Sequence, residues 1–200
     1  MKRAAVFAVV AVGLAGTGCV PDWAQTNSAP YILEISNIQP THLFSDVQIG
    51  EGSIENDDVQ VSVNAFRKNN NANLNTSPVE HMYLERYEVR YFRTDGRNQE
   101  GVDVPFRITG PLGNLRFHTI TQSELELTVP ITIVRHQAKL EPPLRNLRFL
   151  APTDTGTEQA GGASVMTTIA EITIHARTVQ GEALVARGNV QVSFANFADQ

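Results

Sequence analysis

Beyond residue 30, apolar and polar residues alternate along most of this chain. In the run LERYEVRYFR, Tyr87, Val89 and Tyr91 fall on one face while Arg86, Glu88 and Arg90 fall on the other. A period of two marks a strand with one buried and one wet face. Asp95-Gly96 supplies turn chemistry, and VDVPFRI then sends Val102, Val104, Phe106 and Ile108 one way and Asp103, Pro105 and Arg107 the other. The two runs predict a hairpin with a long loop. ELELTVPITIV repeats the alternation through Leu125, Leu127, Val129, Ile131 and Ile133, with Pro130 on the polar face. A proline there cannot donate to a ladder, so this strand is expected at a sheet edge or at a bulge. Val59, Val61, Val63 and Ala65 mark a further strand.

The C-terminal pair is the best hairpin in the chain. Met166, Ala170, Ile172 and Ile174 line one strand, Gln180-Gly181 turns it, and Val190, Val192 and Phe194 line the return. YILEI, LFSDVQI and LRFHTI bring the total to about eight or nine short strands. EPPLRNLRFL is expected to form at most one short crossover helix, with Pro142 near its first turn and Leu144 and Leu147 facing inward. Half-polar strands in this number predict an all-β fold, an antiparallel β-sandwich. The run AEITIHARTVQGEALVARGNVQVSF resembles the last hairpin of immunoglobulin-like and fibronectin-type domains. That resemblance implies an immunoglobulin-like architecture and no particular ligand. The buried tryptophan and cysteine pair of antibody domains are missing from it.

The N-terminus follows a different pattern. Met1-Lys2-Arg3 is basic, Ala4 to Leu14 is apolar, and Gly16-Thr17-Gly18 lead into Cys19, the only cysteine. A basic head, a short apolar middle and a small-residue exit read as an export signal. The apolar stretch is too short to span a bilayer, which takes ~20 residues. Small residues before a cysteine resemble the lipobox of bacterial lipoproteins, although Gly16 stands where that family carries an aliphatic residue. The resemblance implies that residues 1–18 are removed and that Cys19 is diacylated, anchoring the protein to the membrane. Two or three acyl chains would hold it firmly, since each buried methylene contributes ~0.8 kcal/mol. Val20 in place of Asp favours the outer membrane by analogy with enteric sorting. The alternative is ordinary cleavage after Ala15 or Gly18, giving a soluble periplasmic or secreted protein. Residues 19–29 are polar, contain Trp23 and read as a tether, leaving 30–200 as a single domain.

Composition narrows the partners. The chain has 16 basic and 21 acidic residues, net −5. Loss of Lys2 and Arg3 with the signal leaves 14 basic residues and a net charge of −7. An acidic domain without a basic stripe is a poor nucleic-acid binder. One cysteine allows no internal disulfide, so stability must come from the core.

Catalytic motifs are missing from this pattern. His42, His81, His118, His136 and His175 are scattered singly, without the spacing that would set two imidazoles on one metal. No GxSxG elbow, P-loop or dinucleotide fingerprint occurs, so no cofactor is expected. Glu124 and Glu126 share a strand face, as any solvated pair would. The acidic loop EGSIENDD gathers Glu55, Asp57 and Asp58, weak candidates for calcium in a loop that lacks regular ligand spacing. RKNNNANLNTS and PTDTGTEQAGGAS read as flexible loops, the usual place for binding function. The expectation is a non-catalytic envelope lipoprotein whose β-sandwich binds or scaffolds another envelope component, with an envelope protein as its partner. A carbohydrate-binding module, a periplasmic hydrolase without a recognisable motif, and strand donation through the Pro130 edge are the competing classes.

Overall fold

Eight strands and two short helices account for the residues that the computed structural model describes, namely 31–47, 55–68, 81–118, 127–147 and 165–196. In chain order these are β1 (Tyr31–Gln39), β2 (His42–Asp46), β3 (Asp57–Arg67), β4 (His81–Phe92), β5 (Ile108–His118) and β6 (Leu127–Val134). The helices α1 (His136–Leu140) and α2 (Leu144–Leu147) follow, then β7 (Val165–Thr178) and β8 (Ala183–Ala195). The fold is all-β, with two sheets. One has the order β1-β3-β6, and the other has the order β2-β8-β7-β4-β5 and curls into a half-barrel. Every pairing is antiparallel except that of β2 with β8.

The period-two residues are the ones that hold the sheets together. Val59, Val61, Val63 and Ala65 on β3 are buried, as are Val129, Ile131 and Ile133 on β6. They share one core with Tyr87, Val89 and Tyr91 on β4, Ala170, Ile172 and Ile174 on β7, and Val190, Val192 and Phe194 on β8. Each fully buried aliphatic or aromatic side chain contributes roughly 1.5–3 kcal/mol. Where β1 passes over β8, Gly188 leaves room for Ile35 and Ile38. A Cβ at Gly188 would sit 2.9 Å from Ile38 Cδ1.

The first strand changes sheets. β1 pairs with β3 up to Gln39, the cis Gln39–Pro40 peptide and Thr41 follow, and β2 then runs alongside β8. Pro130 lies on an edge strand, exposed, as its position on the polar face predicts.

Two expectations are corrected. Residues 102–107 are a compact loop, not a strand. The N–H groups of Val102, Asp103 and Val104 all turn back to the Gln99 carbonyl, and Gly101 takes φ +75°. Val104 is buried there, while Val102 and Phe106 are exposed. The partner of β4 begins instead at Ile108 and runs to His118; its end is the strand expected from LRFHTI, while Gly110, Pro111 and Gly113 hide its first half in the sequence. Gly110 serves the packing, because a Cβ would lie 2.4 Å from the Tyr87 ring. The single crossover helix is two short helices, of which α2 buries Leu144 and Leu147 as expected.

Candidate functional site

Two groups of side chains stand out, both at the end of the domain where β2 finishes and β3 begins. The first is buried. Ser45, on the inner face of β2, donates its hydroxyl to Asp57 Oδ2 at 2.5 Å, and Lys139 on α1 donates Nζ to Asp57 Oδ1 at 3.0 Å. Lys139 is only 4% exposed. Beside them the Asn56 side-chain oxygen accepts from the His136 backbone N–H at 2.9 Å and lies 3.2 Å from His136 Nδ1. The Tyr91 phenol donates to the Ile133 carbonyl. Burial pushes that phenol far above its ordinary range, with Arg135 opposing and Asp57 reinforcing the shift.

A serine beside a lysine can be nucleophilic machinery. Here the Ser45 proton is committed to a carboxylate whose charge Lys139 already balances, and Ser45 has no exposed surface. The arrangement fastens β2, β3 and α1 to one another. Breaking one partner of such a buried pair strands a charge, which is why it holds.

The second group lies on the outer face of the five-stranded sheet. Cross-strand register sets Phe44 beside Ser193 and Ser193 beside Thr167, and in the next row His42 beside Gln191, Ile169 and Phe92. His42 Nε2 and Ser193 Oγ are 2.9 Å apart, and Thr167 Oγ1 is 3.2 Å from the same hydroxyl. The His42 and Phe44 rings lie 4.2 Å apart between centroids. Phe44 is 63% exposed, and Val165 and Ile169 are exposed with it. This corner carries no formal charge on Phe44, Val165, Thr167, Ile169, Gln191 or Ser193.

The rest of the face is charged. Arg90 sits over Phe92 at 5.7 Å and opposite Glu171, and Glu88 lies within 4.0 Å of Arg86 and 3.8 Å of Arg107. Arg177 pairs with Glu85 at 2.8 Å. His175 is half-buried opposite Arg86. Desolvation first, then the Arg86 charge, lowers its pKa below the ordinary histidine value.

Chemically, the corner offers an exposed apolar surface with a hydroxyl–imidazole chain set into it. A histidine nitrogen on a serine hydroxyl is the first half of a nucleophile–base pair. The other half, a group holding the second ring nitrogen, is not among the hydrogen bonds of His42 to the described residues.

The sequence-named residues are dispersed. Glu55 and Asp58 are exposed at the start of β3, and Asp57 is bonded to Ser45 and Lys139. No group of three His, Cys, Asp or Glu side chains among the described residues is placed to hold a metal. Cys19, Trp23, Leu125, Glu124 and Glu126, and most of the two long loops, lie outside the described residues. Ser45, Lys139, His42 and Ser193 were not singled out by pattern. Only Phe44, an aromatic on the odd side of LFSDVQI, carried a local signal.

No family model matches this chain, and no characterised protein sequence does. Among solved structures it is similar, at 10% identity and a TM-score of 0.33, to the Northeast Structural Genomics Consortium target SoR45, over 82% of this chain and 86% of that one. It is similar to the sporulation control protein Spo0M of Bacillus subtilis at 9% identity and a TM-score of 0.32, over 84% of this chain and 50% of that one. At these scores the likenesses carry no argument about fold or function.

Proposed function

We propose that this chain is a lipoprotein of a bacterial cell envelope, anchored through Cys19, favouring the outer membrane, whose domain binds or scaffolds another envelope component without catalysis. The reading takes the two sheets as an immunoglobulin-like sandwich. Strand order supports this: β1-β3-β6 corresponds to A-B-E, and β8-β7-β4-β5 corresponds to G-F-C-C′. The observation that carries the binding role is the division of the outer sheet face into a field of paired charges and an apolar corner around Phe44, Val165, Thr167 and Ile169, edged by Asp46. Exposed apolar surface rimmed by polar residues marks sites of macromolecular contact.

The test places a photo-crosslinking residue at Ile169, in the corner, and at Arg187, in the charged field, in cells carrying the full chain. One envelope component joined from Ile169 and not from Arg187 is the expected outcome. Equal yields from both positions, or none from either, would remove the binding role. A glycan captured at Ile169 would move the assignment to the carbohydrate-binding alternative. For that class the exposed Phe44 ring beside the Ser193 and Thr167 hydroxyls is the favouring observation.

A further inference from the structure

The outer face of the three-stranded sheet is built from side-chain amides and hydroxyls. Alternation along β3 buries Val59, Val61, Val63 and Ala65 and turns Gln60, Ser62, Asn64 and Phe66 outward. Register sets Gln39 beside Gln60 and Asn37 beside Ser62. Asn37 reaches this face through the register shift between Ile35 and Asn37, since Ile35 and Ile38 both pack inward on Gly188. Asn37, Gln39 and Gln60 are exposed and Asn64 is half-buried. None of these four amides is hydrogen-bonded to another described residue. Between them a hydroxyl row crosses the sheet. Ser62 Oγ lies 3.1 Å from Thr128 Oγ1 on β6, and Ser36 Oγ donates to the Ser62 carbonyl at 3.2 Å.

The charge on this face has one sign and sits at its ends. β1, β6 and β3 as far as Phe66 contain no lysine or arginine. The exposed carboxylates are Glu34, beside Asn64, and Asp58, beside Thr132 at the other end of the amide strip. The outer face of the five-stranded sheet, by contrast, carries Arg86, Arg90, Arg177 and Arg187. Polyanions and lipid phosphates are held by lysine and arginine, which this face lacks. Protein interfaces centre on clustered aromatic and arginine anchors, and Phe66 is a single ring at one end of the strip. An uncharged ligand rich in hydroxyls needs neither. Each amide offers two N–H donors and a carbonyl acceptor in one plane, a match for neighbouring hydroxyls on a sugar ring. The Phe66 ring, 47% exposed, offers an apolar surface to the C–H side of such a ring. Glu34 and Asp58 repel acidic sugars.

We infer that the outer face of the three-stranded sheet binds a neutral glycan chain, laid along β3 over Gln60 and Asn64 with one sugar ring on Phe66. From Gln60 to Phe66 an extended strand runs ~20 Å, so the ligand is an oligosaccharide segment and not a single sugar. This inference stands apart from the binding role proposed above, which rests on the corner around Ile169 on the other sheet. Failure of either leaves the other standing.

Isothermal titration of the full chain, held in a detergent without a sugar headgroup, with cellohexaose, maltohexaose and chitohexaose tests it. At least one of these neutral hexasaccharides should bind saturably, and a hexagalacturonate should bind at least tenfold more weakly. Gln60→Glu removes the amide donors and adds a carboxylate at an exposed position. It should weaken binding at least tenfold with an unchanged thermal melt. Asn64→Ala and Phe66→Ala should each weaken binding severalfold. Asn189→Ala, which removes an exposed amide from the other sheet, should leave it unchanged. The inference is overturned if no neutral hexasaccharide binds, if the hexagalacturonate binds as well, if Gln60→Glu binds like the wild type, or if Asn189→Ala weakens binding equally.

Discussion

The phenol of Tyr91, on the five-stranded sheet, donates its hydrogen bond to the backbone carbonyl of Ile133, on the three-stranded sheet. One side chain thus crosses the core and ties the two layers together. Its ring also meets Phe194 edge-on, with centroids 6.2 Å apart. Tyr91→Phe keeps the ring and deletes the donor, leaving the Ile133 carbonyl short of a partner. Such a deletion costs about 1–2 kcal/mol, roughly 2–8 °C in Tm for a domain of this size. Thermal melts of the two proteins check it, and equal melting temperatures would mean that the contact contributes nothing.

The Lys139–Asp57 pair gives a sharper expectation. Lys139→Met leaves the Asp57 carboxylate with Ser45 alone, at a position where the pair is largely shielded from water. Losing one partner of a buried pair costs about 3 kcal/mol or more. The double variant Lys139→Met with Asp57→Asn should recover part of that loss, because no charge is then left behind. Denaturant midpoints for the two single variants and the double form a cycle that isolates the pair. Simple additivity would show that the two residues do not act together.

These two contacts also show which parts of the fold were legible in the sequence. Strand faces were, because alternation is local: the inward residues of β3, β6, β7 and β8 are those the period selects. Pro130 placed its own strand at an edge for the same local reason. Pairing across the molecule was not legible. Nothing near Lys139 says that a lysine there is buried, since its partner is 82 residues away. The chain from Val102 to Ile108 alternates as a strand does, yet local turns at Gly101 and hydrogen bonds to Gln99 win over the pattern. The first half of β5 is the converse case: its glycines and proline hide it, pairing with β4 sustains it, and only its end was read as a strand, in LRFHTI.

Ile172 and Glu171 test the faces of β7 directly. Ile172 is fully buried and Glu171 faces outward opposite Arg90. Ile172→Asp buries a carboxylate without a partner and should cost several kcal/mol, enough to unfold the domain. Glu171→Lys sets a second cation opposite Arg90 and should cost only ~0.5–1 kcal/mol. Chemical denaturation of both reads the difference. Similar losses would place the strand the wrong way round.

His175 links stability to pH. Its pKa in the fold is lowered, by desolvation and by Arg86, below the 6.5 of an unperturbed histidine. The unfolded chain therefore takes up a proton at higher pH than the fold does. The contribution of His175 is fully present above about pH 6.5 and is lost as pH falls through its folded pKa. His175→Gln should flatten the fall in urea midpoint on the acid side of pH 6.5. An unchanged slope would assign that pH dependence to other groups.

The proposed anchor rests on one atom. If Cys19 is acylated, Cys19→Ser removes the only thiol in the chain, and the protein should leave the membrane or accumulate as its precursor. Among the described residues no helix is long and apolar enough to cross a bilayer. If residues 19–29 are a tether and the domain begins at about residue 30, as proposed, its melting temperature should not move. Metabolic labelling with an alkyne fatty acid, followed by cell fractionation, separates the outcomes. Label on the wild type and none on Cys19→Ser supports the anchor. An unlabelled wild type in the soluble periplasmic fraction would point to cleavage after Ala15 or Gly18, with Gly16 as the residue that departs from the lipobox.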